Sequence, residues 1–256
     1  MIIVEQNRLR HMACIVAGFL VLCDGAPWAE EPVVELPPQI VIASPFLGPL
    51  DLALNPDRTP LSLSDLSADL LQRQNAVVLR EAVGNSAGVV TGTGNGVHDF
   101  FVIRGIDSLN GSAVLIDGIV EPESTFYPLH HIASVQVLKG PGSFAYGGTA
   151  LAGAVNLVRY RPGPDIRPSL RLGLGTHDEM RVEGVLGAWE EHPNIGIRID
   201  GLYRERGSHR DGIDHELSSV NVSGVWFPSE WDTLRVMVDR LDSSSIPDAG
   251  VPTLGD

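Results

Sequence analysis

Between Leu170 and Asp239 apolar and polar residues alternate with a period of two, and the alternation recurs in five segments. Leu170, Leu172 and Leu174 share one face, with Arg171 and Gly173 on the other. Met180, Val182, Leu186 and Ala188 oppose Arg181 and Glu183, and Ile195, Ile197, Ile199 and Tyr203 oppose Arg198, Asp200, Arg204 and Arg206. Val220, Val222 and Trp226 oppose Asn221 and Ser223, and Leu234, Val236 and Val238 oppose Arg235 and Asp239. A period of two is the pleat of a strand, so these segments predict antiparallel β-strands with one greasy and one wet face. A soluble sandwich shares that pattern. The charge on the polar face, and the aromatic Trp226 and Tyr203 near strand ends, fit lipid outside, water inside and aromatics at the interface. Residues 190–194 and 228–232 are short turns, whereas 207–216 and 243–256 are longer polar connections; only 176–179 is short where a long loop is due. Short turns on one side and long loops on the other are the pattern of outer-membrane barrels. Five strands cannot close, because an open edge in lipid leaves backbone groups unpaired at several kcal/mol each. Residues 164–256 therefore read as the first five strands of an incomplete transmembrane β-barrel, and the chain as C-terminally truncated.

Composition narrows the function. With 43% hydrophobic and 20% charged residues the chain is not disordered by composition. A net charge of −14 and a single lysine, Lys139, argue against binding nucleic acid through its phosphates, which needs a basic face. No apolar run reaches the roughly 18 residues of a spanning helix, which excludes a helical membrane protein and leaves a barrel open. Arg8, Arg10 and His11 precede the apolar run from Met12 to Cys23, so residues 1–29 read as a signal peptide for export, with Ala26 or Ala29 near its end. Both cysteines, Cys14 and Cys23, fall inside it, which leaves the exported chain without disulfides or cysteine-bound metal. Residues 30–60 are proline-rich and extended. Within them Gln39 to Ser44 is β-prone, either a plain linker or a strand awaiting a partner's sheet edge.

Residues 61–163 read as a small α+β domain. Ser64 is placed to cap a helix carrying Leu66, Leu70 and Leu71 that ends near Gln74, and a second helical piece covers 78–83. Gly92, Gly94 and Gly96 look like a phosphate loop only superficially, because the following residues 99–104 read as strand and not helix. Strands are expected over 113–116, 132–138 and 154–158. Asp117-Gly118 forms a turn in which the aspartate bonds its own backbone, and Gly140-Pro141-Gly142 breaks the second strand.

The series Phe101-Val102-Ile103-Arg104-Gly105-Ile106, Val114-Leu115-Ile116-Asp117-Gly118-Ile119, Val135-Gln136-Val137-Leu138-Lys139-Gly140-Pro141-Gly142-Ser143, Tyr146-Gly147-Gly148 and Gly153-Ala154-Val155-Asn156-Leu157-Val158, ending in Arg161-Pro162, closely resembles the plug domain of TonB-dependent outer-membrane receptors. The motifs stand in the family's order and spacing, and with the strands behind them the resemblance covers roughly residues 40–256. It implies a globular plug inside a barrel of about 22 strands. An iron–siderophore, or another scarce nutrient such as cobalamin, would bind the plug from outside. A short N-terminal TonB box would pair as a strand with TonB, which transmits energy from the inner-membrane proton gradient, and the plug would then rearrange to let the ligand pass.

The resemblance also assigns residues. Ile40, Val41, Ile42, Ala43 and Ser44 correspond to the TonB box. Gly105, Asp117, Gly118, Lys139, Gly140, Pro141, Tyr146, Gly147, Gly153 and Asn156 are the plug's framework. Arg104 is a candidate for ligand contact or for a lock between plug and barrel. Glu121, Glu123, Phe126, Tyr127 and His130 fall where the family's plug faces outward and are candidates to line the ligand pocket. Two positions depart from the family: Gln136 stands where Glu is common, and Lys139 where Arg is common. Lysine cannot reproduce the planar fork of arginine. The family pairs plug arginines with barrel glutamates; Arg104 and Lys139 are the candidates here, with their partners expected beyond residue 256.

Catalysis and direct metal binding have no support. Gly142-Ser143 lacks a nucleophile elbow. The adjacent side chains of His130 and His131 diverge, with no third ligand at useful spacing, so any metal arrives inside a chelate. No cofactor is expected. The partners expected are TonB, a metal chelate or similar small nutrient, and outer-membrane lipid. The competing reading is a free-standing periplasmic plug-like binding module or a truncated pseudogene product.

Overall fold

A computed structural model describes residues 62–94, 98–108, 112–121, 126–141, 150–191, 194–208, 213–229 and 231–246, all within one unit, Ala43–Asp256. The leader and the proline-rich segment, with the TonB-box candidate Ile40–Ser44, lie outside them, as do Glu123, Tyr146 and Gly147.

The first half of the described chain is the α+β plug. β1 (Ser62–Ser67) leads into α1 (Ala68–Arg73) and α2 (Leu79–Val83). β2 (Val89–Gly94), β3 (His98–Ile103) and β4 (Ile106–Asp107) form a small antiparallel sheet. β5 (Ser112–Ile116), β6 (Ile119–Val120), β7 (Ile132–Lys139) and β8 (Gly153–Arg159) join β1 in a mixed sheet of order β1-β7-β8-β5-β6. In it only β5 and β8 run parallel. Val135, Val137, Val155 and Leu157 from the centre of this sheet pack with Leu71, Ala82, Val83, Phe101 and Ile103 to make the core.

The expected cap at Ser64 is corrected. Residues 62–67 are strand, in register with β7 from Ser62↔Lys139 to Ser67↔Ser134. The helix starts one turn later, with Ser67 Oγ accepting from the Leu70 amide at 3.4 Å. Leu66, Leu70 and Leu71 fit a helix locally, but a helix of this length is marginal alone, and pairing along β7 satisfies the backbone of 62–67 instead. The glycine-rich stretch is likewise no loop: most of it is β2, paired with β3 from Val89↔Ile103 to Gly94↔His98.

Two residue pairs turn the short hairpins. Arg104 and Gly105 have φ of 51° and 85°, and Asp117 and Gly118 have 50° and 82°. Both pairs sit between directly bonded strand residues, Ile103↔Ile106 and Ile116↔Ile119. Two consecutive left-handed residues match the twist of a two-residue hairpin, which is why glycine follows each time. Asp117 does not bond its own turn in the way the sequence suggests. Its oxygens accept from Arg159, and the Gly118 amide donates instead to Asn156 Oδ1 at 2.8 Å. Asn156 is fully buried, and its Nδ2 donates to Gln136 Oε1 at 3.1 Å. The amide of Gln136 thus completes a buried polar chain from the turn to β7.

The second half is an antiparallel sheet of five strands: β9 (Ser169–Leu174), β10 (Met180–Glu190), β11 (Ile195–Gly207), β12 (Asp214–Trp226) and β13 (Leu234–Ser245), each bonded to the next. Among the described residues it does not close on itself. Every segment expected as a strand is one, and β12 and β13 are longer than the alternation showed because Gly207↔Asp214 and His215↔Ser245 are paired. The apolar face looks outward and is uncovered, with Leu174 88% and Val238 60% exposed. The polar face carries the plug. Tyr203 departs from its neighbours on the apolar face: it is buried, and its hydroxyl donates to Glu205 at 3.3 Å.

Gly153 starts β8 where no side chain fits, since an added Cβ would overlap the Leu138 carbonyl oxygen and come within 3.1 Å of Ile103 Cδ1. Gly153→Ala is expected to lower plug stability by about 1–3 kcal/mol and to speed proteolysis of the plug in the intact protein. Gly163→Ala, which meets nothing within 4 Å, serves as the control.

Candidate functional site

The site is the seam where the plug lies on the wet face of the wall. Strand register sorts that face into levels, because residues directly paired across an antiparallel sheet point the same way. One level holds Arg181, Arg204 and Leu217; the next holds Arg171, Glu183, Leu202 and Ser219. Below them come Val185, Asp200, Asn221 and Asp239, then Gly187, Arg198 and Ser223, then Trp189, Gly196 and Val225. The plug touches every level.

At the first level Arg204, with its side chain only 12% exposed, sits between two carboxylates. Its Nη1 donates to Glu81 Oε1 at 3.0 Å and its Nε to Glu179 Oε1 at 3.0 Å. Glu81 belongs to α2, and its other oxygen accepts from the Val77 and Val78 amides at 2.7 and 3.4 Å. One carboxylate therefore satisfies orphan amides at the start of a helix and ties that helix to the wall. Burial alone would raise the Glu81 pKa, but the Arg204 charge and the Val77 and Val78 amides outweigh it and hold the group below its ordinary value. Beside this pair Arg181 Nη2 donates to Asn75 Oδ1. Val77 and Val78 also pack on Leu202 and Leu217, two of the apolar residues on this largely polar face.

At the third level Arg159, the last residue of β8, bridges plug and wall. Its Nε donates to Asp117 Oδ2 at 2.8 Å and its Nη1 to Asp239 Oδ2 at 2.9 Å, while Asn221 donates to the other Asp239 oxygen. His131 Nε2 lies 3.7 Å from Asp239 Oδ1. That contact is not an ion pair near neutral pH, because burial, then the Arg159 and Arg198 charges, push the His131 pKa down to about 3. His130 stacks edge-on against His131, with ring centroids 4.6 Å apart, and burial keeps it uncharged as well.

Lower down, Arg198 is held by Asp200 at 2.7 Å and lies 4.2 Å over the Tyr160 ring. The segment joining plug to wall follows the sheet past two glycines. A Cβ on Gly187 would strike Ile166 at 2.5 Å, and one on Gly196 would meet Pro162 at 3.1 Å.

The residues singled out from sequence do not gather in one place. Lys139 Nζ donates within the plug, to the Ala87 carbonyl at 3.0 Å. Arg104 is exposed at its hairpin turn beside Gly140. Neither is bonded to the described wall. The contacts made there are Arg159 to Asp239, and Glu81 to Arg204 with the charges reversed. Glu81 carried no capping-box signal, because Val78 has no side-chain oxygen to complete one; for Arg159 the signal was a charge closing a buried strand. Glu121 is half-buried and its amide donates to the Val114 carbonyl at 3.0 Å. Phe126 and Tyr127 are half-buried, and Tyr127 packs on the core while its carbonyl accepts from the Leu79 amide. His130 belongs to the seam. Pro141 is exposed, and Gly140 is buried with φ 136°. Among the described residues no three His, Cys, Asp or Glu side chains are grouped to hold a metal.

Comparison with known proteins bears on both halves. Residues 55–154 match the family model described as the TonB-dependent Receptor Plug Domain. The ferrioxamine B receptor of Salmonella typhimurium is 23% identical over 228 residues, covering 84% of this chain and 32% of that protein. The chain thus spans about a third of the length of that curated relative. Among solved structures, the open form of the ferric-catecholate import receptor Fiu from E. coli K12 superposes with a TM-score of 0.67 at 24% identity, over 77% of this chain and 29% of that one. The pyoverdine receptor FpvA from Pseudomonas aeruginosa, bound to pyoverdine, gives 0.69 at 20% identity, over 74% and 28%. The structures establish a shared fold.

Glu81→Gln keeps the outline of the side chain and removes its charge. It is expected to weaken the plug–wall contact by about 1–2 kcal/mol, read as faster amide exchange over residues 77–83. Because the folded-state pKa lies below the ordinary 4.5, the stabilisation is complete above that value and is lost as pH falls through the lower one. Protection of these amides should therefore decline in acid in the wild type and lose that dependence in Glu81→Gln.

Proposed function

We propose that this chain, which belongs to the TonB-dependent outer-membrane receptors, is the plug and opening wall of a receptor importing a chelated metal, an iron–siderophore above all. The seam carries this reading. A plug fixed to its wall by a few separate polar contacts, with its own core closed behind it, can shift against the wall without opening that core. Ligand arriving at the outer side would bias the plug toward the shifted state only through contacts it makes better there. Arg104, Glu121, Glu123, Phe126, Tyr127 and His130 are the proposed contacts. Ile40 to Ser44 are proposed to add as a strand to TonB, where main-chain bonds supply affinity whatever the side chains. Nothing in this role calls for catalysis. The plug is proposed to occupy residues 61–163 and the strands 164–256, after an exported leader of 1–29.

Deleting the gene in its host should impair growth under iron limitation and uptake of radioactive iron from at least one siderophore. Complementation with the intact receptor should restore both only where TonB is present. Restored uptake without TonB, or no uptake defect with any of a panel of hydroxamate, catecholate and carboxylate chelates, overturns the proposal. Arg104→Ala is expected to reduce chelate affinity by about tenfold, about 1.4 kcal/mol; unchanged affinity and uptake would remove Arg104 from the site.

A further inference from the structure

A polar cleft runs between α1 and the first three strands of the wall. Its larger part, about 320 Å³, is bordered by Gln72, Arg73, His130, Tyr160, Arg171 and Arg181. An adjoining part of about 220 Å³ shares Gln72, His130, Tyr160 and Arg171 and adds Arg167 and Arg198. The chain carries a net charge of −14, yet five arginines border this one cleft. The carboxylates that border it are Asp69 and Glu183, and Asp200 reaches Arg198 from beside it. Asp69 holds Arg73 at 2.8 Å. Glu183 holds Arg171 at 2.8 Å and is 3.6 Å from Arg181, so it serves two guanidiniums at once. Arg167 makes no ion pair among the described residues. Five guanidiniums thus face three carboxylates: Arg167 is left without one, and Arg171 shares Glu183 with Arg181.

A recess with low-dielectric walls and one sign of charge in excess concentrates the field and draws in counter-ions. Guanidinium forks match carboxylate and phosphate oxygens in pairs. The part that both Arg167 and Arg171 border, about 220 Å³, is below the size of drug-like ligand sites and suits a small anion. We propose that this cleft binds a small oxyanion, a molecule bearing carboxylate or phosphate groups, between Arg167 and Arg171, with Gln72 and Tyr160 as neutral hydrogen-bonding neighbours. The site goes beyond the import reading, since it requires neither TonB nor movement of the plug. Its occupant is a free metabolite or an acidic arm of the metal chelate, and both present the same oxygens.

Calorimetric titration of the intact receptor in detergent with citrate, and separately with pyrophosphate, tests the site. Saturable binding that weakens with added salt is expected for at least one of them. Arg167→Ala combined with Arg171→Gln should weaken it about tenfold or more, while Arg240→Gln on β13, outside the cleft, should leave it unchanged. A matching thermal midpoint in the double variant separates lost binding from lost fold, and His130→Gln provides a second probe of the cleft if the double variant does not fold. No saturable binding of either anion, or full affinity in the folded variants, overturns the proposal. Iron uptake then distinguishes the sources. Slower uptake only from a chelate with free carboxylates identifies the cargo's acidic arm, and equal uptake from acidic and neutral chelates identifies a free oxyanion. If no chelate is taken up at all, the import reading fails while the citrate titration still decides the cleft.

Discussion

The wall has one greasy face and one wet face, and everything the plug does follows from which of them it is given. With Leu174 and Val238 turned outward, the face left for the plug is a lattice of arginine, carboxylate, amide and hydroxyl groups. A plug on such a surface cannot be glued down by burying apolar area. It has to find a partner for each polar group it covers, because an unpaired charge in the seam costs several kcal/mol. A set of separate contacts is the result: Glu81 with Arg204, Asn75 with Arg181, Arg159 with Asp239, Tyr160 under Arg198, and a linker threaded past Gly187 and Gly196.

Such pairs hold geometry more than they hold free energy. A half-exposed ion pair contributes about a kcal/mol or less, and a buried one roughly repays its own desolvation. The apolar contact of Val77 and Val78 with Leu202 and Leu217 adds a different force on this face. It sits beside the Glu81–Arg204 pair, so the residues entering α2 are the place where the plug is gripped by both kinds of force. Elsewhere the plug's cohesion is internal, in the valines of β7 and β8 and the buried amide chain of Gly118, Asn156 and Gln136. A body that is firm inside and held outside by exchangeable polar contacts is suited to moving as a unit.

The wall was legible almost residue by residue, since a two-residue period leaves one assignment of faces. Of the two-residue hairpin turns only Asp117-Gly118 was legible; Arg104 read as the end of a strand over 99–104, and its left-handed pairing with Gly105 appears only in the fold. The start of the plug was not legible either. Leu66, Leu70 and Leu71 suit a helix, and only the presence of β7 alongside makes 62–67 a strand. The Asp117 turn reads as self-contained until Arg159, far along the chain, supplies its partner. The contacts with the described wall were not legible for the same reason. Arg104 and Lys139 stand in motifs, but Lys139 lies within reach of the Ala87 carbonyl, while Arg159 and Glu81 carry no mark in sequence beyond their position at an element's end.

The amino-acid sequence by itself determined the wall strands, their faces and the Asp117-Gly118 turn, because these depend on neighbours two to four residues away. Which plug residue meets which wall residue was decided only in three dimensions. Pairs such as Glu81 with Arg204 and Arg159 with Asp239 are set by how two separately folded layers align. Arginines gathered from α1, the linker and three strands leave no shared pattern along the chain from which their cleft could be read. Local order is written in spacing, and charge balance in the seam arises from the packing of surfaces remote in sequence.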